Sequence, residues 1–334
     1  MTVGRFLPVN TVLKRSISHC LNIVKNYDRE NYLCSLLLPE PQRSFALAIR
    51  AMNVELAQVR DHAVKSDQAK VRFIFWREVV NGLFKSEARY DTPVVRELLQ
   101  SVSGLRLSKY LFLRLIEARE NHFNECAFNS LKDAERYAED TNVSLLYLIC
   151  EAHGLKSVSV DHALSHLGQA QGLVNLLRGS VSLARRRRVV VLPLDLLNKH
   201  NLNQEMVLRL LRTDPTEEHP KDNTTTEALL NMYHDLASVA HQHASTAARL
   251  AREATNHFQN HENRSLADST SESTFRHVLC RQMLPLVPIS SYLDRLHTKA
   301  NFDPRRLASH VDGLLPLRLS WQALRNQLPN GPST

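Results

Sequence analysis

Apolar residues recur every three or four positions through most of the chain. Four successive segments have this spacing: residues 43–61, 71–84, 107–127 and 131–153. Such spacing places the apolar side chains on one face of an α-helix. A further stripe starts near Asp161, interpreted as an N-cap, and stops near Gly179, interpreted as the helix end. The pattern therefore predicts an all-α fold.

Two polar stretches interrupt the helical pattern. Residues 213–227 and 259–274 are rich in Asp, Glu, Asn, Ser and Thr, and we expect both to be exposed loops. Neither stretch borders a marked change in composition. We therefore expect one helical domain over residues 28–330.

Residues 1–27 differ from the rest of the chain in charge. No acidic residue precedes Asp28, whereas four basic residues do: Arg5, Lys14, Arg15 and Lys25. A basic, acid-free segment with interleaved hydroxyl residues is typical of a mitochondrial presequence. The alternative is an N-terminal helical extension that lacks acids.

Composition narrows the classes of function. The 334 residues include 42 Lys plus Arg against 34 Asp plus Glu, a formal charge of +8, and only nine glycines. The sequence has neither of the common glycine-rich nucleotide-binding motifs, and no apolar run is long enough to cross a membrane. The five scattered cysteines are most simply small buried side chains: Cys20, Cys34, Cys126, Cys150 and Cys280.

One predicted helix carries small and polar residues on a shared face. Gly168 and Gly172 form a GxxxG spacing, and Asn175 and Arg178 follow on nearly the same side. Such a face indicates either close helix packing or a cleft. From the pattern alone we favour packing.

Histidine pairs at helical spacing raise the question of a metal site. His162 and His166 are four residues apart, and so are His257 and His261. Neither pair contains the glutamate of a zinc-peptidase motif, and no third ligand can be named. We expect no metal site.

Two stretches resemble signatures of a known enzyme family. Residues 167–178 (LGQAQGLVNLLR) and residues 50–61 (RAMNVELAQVRD) are similar to the two signatures of the squalene and phytoene synthases. Further similar positions follow in the expected order: Arg72, Trp76-Arg77, Pro93-Val94, Tyr137, Thr141, Ser144 and Leu192-Pro193 before Asp195. The resemblance implies an all-helical isoprenoid-synthase fold around a central cleft. Six positions would belong to a vestigial form of that cleft: Asp61, Tyr137, Gly168, Gly172, Asn175 and Arg178.

The resemblance also implies that the chain is a pseudoenzyme. Active members hold a diphosphate through Mg²⁺, using aspartates four residues apart on two helices. Here the first pair falls at Ala57 and Asp61, and the second at Gly179 and Leu183, so three of four carboxylates are missing. We expect no catalytic residue, no cofactor and no metal. The alternative is a divergent prenyl-diphosphate transferase with other metal ligands.

A narrower resemblance concerns a subgroup without synthase chemistry. Three stretches are similar to mitochondrial assembly factors of respiratory complex I that carry a phytoene-synthase-like domain: residues 32–39, residues 53–59, and residues 137–139 followed by 144–148. This resemblance implies a protein on the matrix side of the inner membrane. Its partners would be complex I subunits or other assembly factors, with peripheral membrane contact as an additional expectation.

Two further segments have alternative interpretations. The tetrad Arg185, Arg186, Arg187 and Arg188 suits an anionic lipid or an acidic partner, or is a solvated loop after the helix end. No aromatic residues are interleaved with it, so we expect no nucleic acid. Residues 314–321 (LLPLRLSW) are interpreted as the last core helix or as a segment at a bilayer surface.

Overall fold

The computed structural model describes residues 9–62, 66–85, 87, 89–125, 127–215, 223–262 and 272–333. Within these ranges the chain forms fifteen α-helices, one π-turn and one 3-10 turn, and no β-strand. The prediction of an all-α fold is confirmed. None of the described helices combines the length and apolarity that crossing a membrane requires.

The chain folds into two compact units. The first comprises residues 1–123 and 147–155, and the second comprises residues 124–146 and 156–334. The predicted extent of the domain, residues 28–330, remains a prediction.

The first unit is built around helices α1, α3 and α5, which pack against one another. Its helices are α1 (Val9–Tyr27), α2 (Arg29–Leu36), α3 (Gln42–His62), α4 (Ser66–Lys85), α5 (Pro93–Val102) and α6 (Lys109–Asn121). On one face of α3, the side chains of Phe45, Ile49 and Met52 are completely buried. α4 packs against α6, where Phe73 and Phe112 are buried.

Helix α1 occupies most of the segment with presequence-like composition. Cys20 and Val24 are fully buried in it, and α1 contacts both α3 and α5. Residues 9–27 therefore form a helix that contributes to the first unit's core, while residues 1–8 lie outside the described ranges. Cleavage of a presequence remains a prediction.

The second unit is organised by two long helices, α9 (Val158–Arg187) and α12 (Asn223–Glu262). α12 has 40 residues, about 60 Å of helix. A row of small side chains lets it approach α9 closely: Ala237, Ala240, Ala244, Ala247, Ala248 and Ala251 are buried. The shorter elements of this unit are α7 (Leu131–Ala138), the π-turn Glu139–Val143, α10 (Leu194–Lys199), α11 (Gln204–Arg212), α13 (Glu272–Gln282), α14 (Leu286–Thr298), the 3-10 turn Pro304–Leu307 and α15 (Leu315–Arg325). Helix α8 (Ser144–Ala152) is divided between the units, since residues 147–155 belong to the first.

Both predicted ends of helix α9 were wrong. It begins at Val158, with Ser157 as the N-cap residue, so Asp161 lies within the first turn. It also continues past Gly179 to Arg187. Val181 and Ala184 extend the buried stripe beyond the glycine. That packing outweighs the roughly 1 kcal/mol that glycine costs inside a helix.

The predicted loops are shorter than expected. Residues 223–227 form the start of α12, and residues 259–262 form its end. Residues 272–274 begin α13. The intervening residues 216–222 and 263–271 lie outside the described ranges.

Candidate functional site

The first signature ends on an exposed face of α3. The helix is continuous to His62, so Ala57 and Asp61 lie one turn apart on the same face, and both are exposed. Glu55 lies elsewhere on the helix and is only half-exposed. Burial raises the pKa of Glu55, while the nearby Arg72 opposes that rise. Asp61 is therefore the one carboxylate at the two positions where the family resemblance implies a pair.

The second signature gives a corresponding face on α9 that has no carboxylate at the implied positions. Because α9 is continuous here, Asn175, Gly179 and Leu183 follow one another at intervals of one turn. A Cβ atom built on Gly179 would meet only Leu183 Cδ1, at 3.9 Å. An amide, a hydrogen and an aliphatic chain are poor ligands for Mg²⁺, which prefers charged oxygen.

Arg178 is held by groups of its own unit. Its Nη2 donates to Asn175 Oδ1 at 2.8 Å, and its Cζ lies 5.6 Å from the ring centroid of Tyr292. A guanidinium over an aromatic face is a stabilising cation–π arrangement. The arginine predicted for the vestigial cleft thus has internal partners for its charge.

A buried pair of hydroxyl groups lies beside Gly179. Tyr233 Oη donates to Ser180 Oγ at 2.7 Å, and Ser180 Oγ donates to the Leu177 carbonyl at 2.8 Å. Burial raises the pKa of Tyr233, so the phenol stays protonated at neutral pH. Tyr233 was not predicted from the sequence, because nothing near it along the chain marks it.

The GxxxG pair marks a close helix approach, as its spacing predicts. A Cβ atom on Gly168 would lie 2.5 Å from Val143 Cγ2, and one on Gly172 would lie 2.2 Å from Ala138 Cβ. Both neighbours flank or belong to the π-turn, which packs on α9. Packing accounts for these two glycines without a ligand.

Tyr137 lies at the end of α7, beside the same π-turn. Its ring centroid is 5.5 Å from that of Phe128, and its carbonyl accepts a hydrogen bond from Thr141 Oγ1 at 2.6 Å. Of the six positions predicted for the vestigial cleft, Asp61 belongs to the first unit and the other five to the second.

The arginine tetrad is not a loop. Arg185, Arg186 and Arg187 form the last turn of α9, and Arg188 closes it with a left-handed backbone at φ 56°. This placement corrects the loop interpretation. The negative end of the helix dipole favours cations at this position.

Further arginines surround the end of α11. Arg185 Nε donates to the Leu211 carbonyl at 3.3 Å, and Arg305 Nη1 donates to the Leu210 carbonyl at 3.2 Å. Arg209 and Arg212 belong to the last turn of that helix. The sequence pattern marks the tetrad but not these neighbours, which the fold brings from later segments of the chain.

One of the histidines noted for its helical spacing contacts a histidine from a distant segment. His166 Nδ1 lies 2.8 Å from His243 Nδ1, and His243 Nε2 lies 3.0 Å from Glu135 Oε1. Burial lowers the pKa of His166, and the nearby His243, Arg249 and His162 lower it further, while Glu139 opposes them. Across the described ranges, no three His, Cys, Asp or Glu side chains are grouped to hold a metal ion.

The described cysteines are buried thiols. Cys20, Cys34, Cys150 and Cys280 are all buried and form no disulfide, and Cys126 lies outside the described residues. Burial raises the pKa of Cys20 to about 12, with further contributions from Glu97 and Glu55. Burial also raises the pKa of Cys34 and Cys280. Such thiols are packing groups rather than nucleophiles.

Solved structures of two synthases have the same fold. A squalene synthase HpnC from Alicyclobacillus acidocaldarius aligns with a TM-score of 0.65 at 15% identity, covering 89% of this chain and 98% of that one. A dehydrosqualene synthase crystallised with a ligand aligns with a TM-score of 0.62 at 15% identity, covering 94% and 97%. The helical architecture is therefore that of the isoprenoid synthases.

Relatives of known name are more similar in sequence. A Drosophila melanogaster protein named NADH dehydrogenase (ubiquinone) complex I, assembly factor 6 homolog is 35% identical over 319 residues, 92% of this chain and 84% of its own. The Homo sapiens protein named assembly factor 6 is 37% identical over 229 residues, 69% of this chain and 64% of its own. The Squalene/phytoene synthase family model matches residues 24–305. The chain belongs to the squalene/phytoene synthase family, together with the relatives named complex I assembly factor 6.

Proposed function

We propose that the protein is a non-catalytic assembly factor of respiratory complex I. The observation that carries this proposal is its 35% identity, over 92% of the chain, to a Drosophila melanogaster protein named as a complex I assembly factor 6 homolog. Similarity of that extent includes both units rather than a single motif. The protein would act by binding protein clients, with lipid as a second partner.

Loss of metal ligands supports the non-catalytic part of the proposal. In the synthase reaction the diphosphate leaving group carries several negative charges. Bound Mg²⁺ must offset these charges before the bond to the prenyl carbon can break. Ala57, Gly179 and Leu183 supply no charged oxygen, so Asp61 alone would have to hold the metal. In this proposal Asp61, Tyr137, Gly168, Gly172, Asn175 and Arg178 remain from a cleft that no longer performs synthase chemistry.

The location and partners follow from the proposed role. Complex I is built in mitochondria, so the protein would lie on the matrix side of the inner membrane and contact complex I subunits or other assembly factors. The tetrad Arg185–Arg188 is a candidate contact for an acidic partner or an anionic lipid, because it is exposed at the end of α9.

Depletion followed by native-gel analysis tests this role. We expect less assembled complex I in depleted cells, with the other respiratory complexes unchanged, and recovery when the wild-type chain is returned. Normal amounts of complex I in fully depleted cells would contradict the proposal.

The same rescue tests the tetrad. The double variant Arg186→Gln/Arg187→Gln removes two exposed charges while leaving the Arg185 hydrogen bond and the Arg188 helix end in place. We expect it to restore complex I less well than the charge-preserving Arg186→Lys/Arg187→Lys control. Equal rescue by both variants would exclude a role for these charges.

A further inference from the structure

Helix α15 has apolar side chains on two different faces. Leu315, Leu319 and Ala323 are buried against the second unit. Four large apolar side chains point to solvent, each between 63% and 79% exposed: Leu314, Leu317, Trp321 and Leu324. We call these four residues, of which Leu314 is the N-cap residue, the outer face of α15. Their spacing of three or four residues forms one continuous strip.

The outer face is larger than ordinary surface apolarity explains. From Leu314 to Leu324 the strip extends about 15 Å along the helix. Single exposed leucines are common on proteins, but a contiguous group that includes an exposed tryptophan indicates a docking surface. The buried face already holds α15 in the fold, so the outer face is not needed for folding.

The charged side chains of α15 itself are all basic. Within Leu315–Arg325 these are Arg318 and Arg325, and the helix contains no acid. Asp312 precedes the helix, and Arg305 and Arg306 lie farther back, where both pair with Asp303. The carboxylate of Asp312 accepts a hydrogen bond from Arg318 and lies 3.7 Å from Arg295 Nη2. Its negative charge is therefore offset by two arginines.

These features fit the surface of an anionic bilayer. Leucine and tryptophan enter the boundary between headgroups and acyl chains, and arginines at the edge of an apolar face contact phosphate. With 11 residues, α15 is too short to cross a bilayer, so it would lie along the surface. We propose that the outer face of α15 docks the protein onto anionic phospholipid. Assigning that lipid to the mitochondrial inner membrane rests on the proposed function, whereas the binding itself does not.

The distribution of tryptophan permits a direct measurement. The chain has two tryptophans, and Trp76 is only 2% exposed, in the first unit. A blue shift of intrinsic fluorescence on adding vesicles would therefore report on Trp321. We expect the full-length protein to co-sediment with phosphatidylcholine vesicles that contain cardiolipin, with this blue shift, and to bind pure phosphatidylcholine much less.

Paired variants locate the binding surface. Leu317→Gln/Leu324→Gln should lower the partition coefficient at least about tenfold, because two apolar side chains no longer leave water. Val71→Gln/Ile74→Gln removes two exposed apolar residues from α4 and should bind like the wild type. All four side chains are exposed, so both variants should keep the wild-type thermal midpoint.

Several results would overturn this inference. One is co-sedimentation without a fluorescence shift, which would assign binding to another surface. Equal binding to neutral vesicles would show that anionic lipid is not required. Undiminished binding by Leu317→Gln/Leu324→Gln would show that the outer face is not the binding surface. A wild-type dimer that the α15 variant converts to a monomer would assign the outer face to a second copy of the chain. None of these measurements involves complex I, so a failure here is distinct from a failure of the proposed assembly role.

Discussion

At the scale of single residues, the contact between His166 and His243 makes stability depend on pH. Their Nδ1 atoms are 2.8 Å apart, so one ring must accept while the other donates. The pKa of His166 is lowered in the folded protein, by burial first and then by positive neighbours. The unfolded chain therefore binds more protons below about pH 6.5, and acid favours unfolding.

We expect the free energy of unfolding to fall as pH decreases from about 7.5 to 5.5, with a His166 contribution of up to about 1.4 kcal/mol per pH unit. Urea unfolding at several pH values measures this slope. His166→Gln should flatten it, whereas His310→Gln, at an exposed position, should not. A wild-type slope retained by His166→Gln would show that other groups cause the pH dependence.

At the scale of helices, two glycines of α9 should respond oppositely to the same substitution. Gly172→Ala would place a Cβ 2.2 Å from Ala138 Cβ, and the overlap should cost about 1–3 kcal/mol of stability. Gly179→Ala meets only Leu183 Cδ1 at 3.9 Å, so better helix propensity should stabilise the protein by about 0.5–1 kcal/mol.

Urea unfolding of the two variants provides the comparison, and each variant serves as the control for the other. Equal effects of the two substitutions would mean that the close approach of α9 to the π-turn does not constrain Gly172.

Helix positions were largely predictable from the sequence, but helix ends were not. The spacing over 43–61 and 71–84 predicts α3 and α4 to within a few residues at most of their ends. The segment 107–127 was too long, because α6 ends at Asn121. Gly179 failed as a stop signal because packing against α12 holds the helix through it. Local sequence does not contain that packing.

The same limit applies to side chains brought together from distant segments. The motif stretches locate Ala57, Asp61, Asn175 and Gly179, since the first three lie within a signature and Gly179 directly follows one. Tyr233 and His243 carry no such signal, because their partners lie 53 and 77 residues earlier. For α15, both helix faces are apolar in sequence, so periodicity alone cannot distinguish the buried face from the exposed one.

At the scale of the whole molecule, the missing carboxylates predict no response to a prenyl substrate. A ligand that binds only the folded state raises the free energy of unfolding, by an amount that grows with the logarithm of the ligand concentration relative to its Kd. The midpoint of thermal unfolding then rises. With Asp61 as the only carboxylate at the implied positions, we expect Mg²⁺ plus farnesyl diphosphate to leave the midpoint unchanged and to release no pyrophosphate.

The Asp61→Asn variant is the matched control and should behave like the wild type. An active squalene synthase treated in parallel should release pyrophosphate. Mg²⁺-dependent release by the wild-type chain that Asp61→Asn abolishes would instead support the prenyl-transferase alternative.

The burial of the native thiols has a practical consequence for labelling. Maleimide reagents attack thiolates, and Cys20, Cys34 and Cys280 are buried with pKa values that keep them protonated at neutral pH. A single cysteine added at an exposed position, such as Ser320→Cys on α15, would react far faster. In a Cys126→Ser background, spin labels or fluorophores could then be attached at chosen sites while the remaining natural cysteines stay in place.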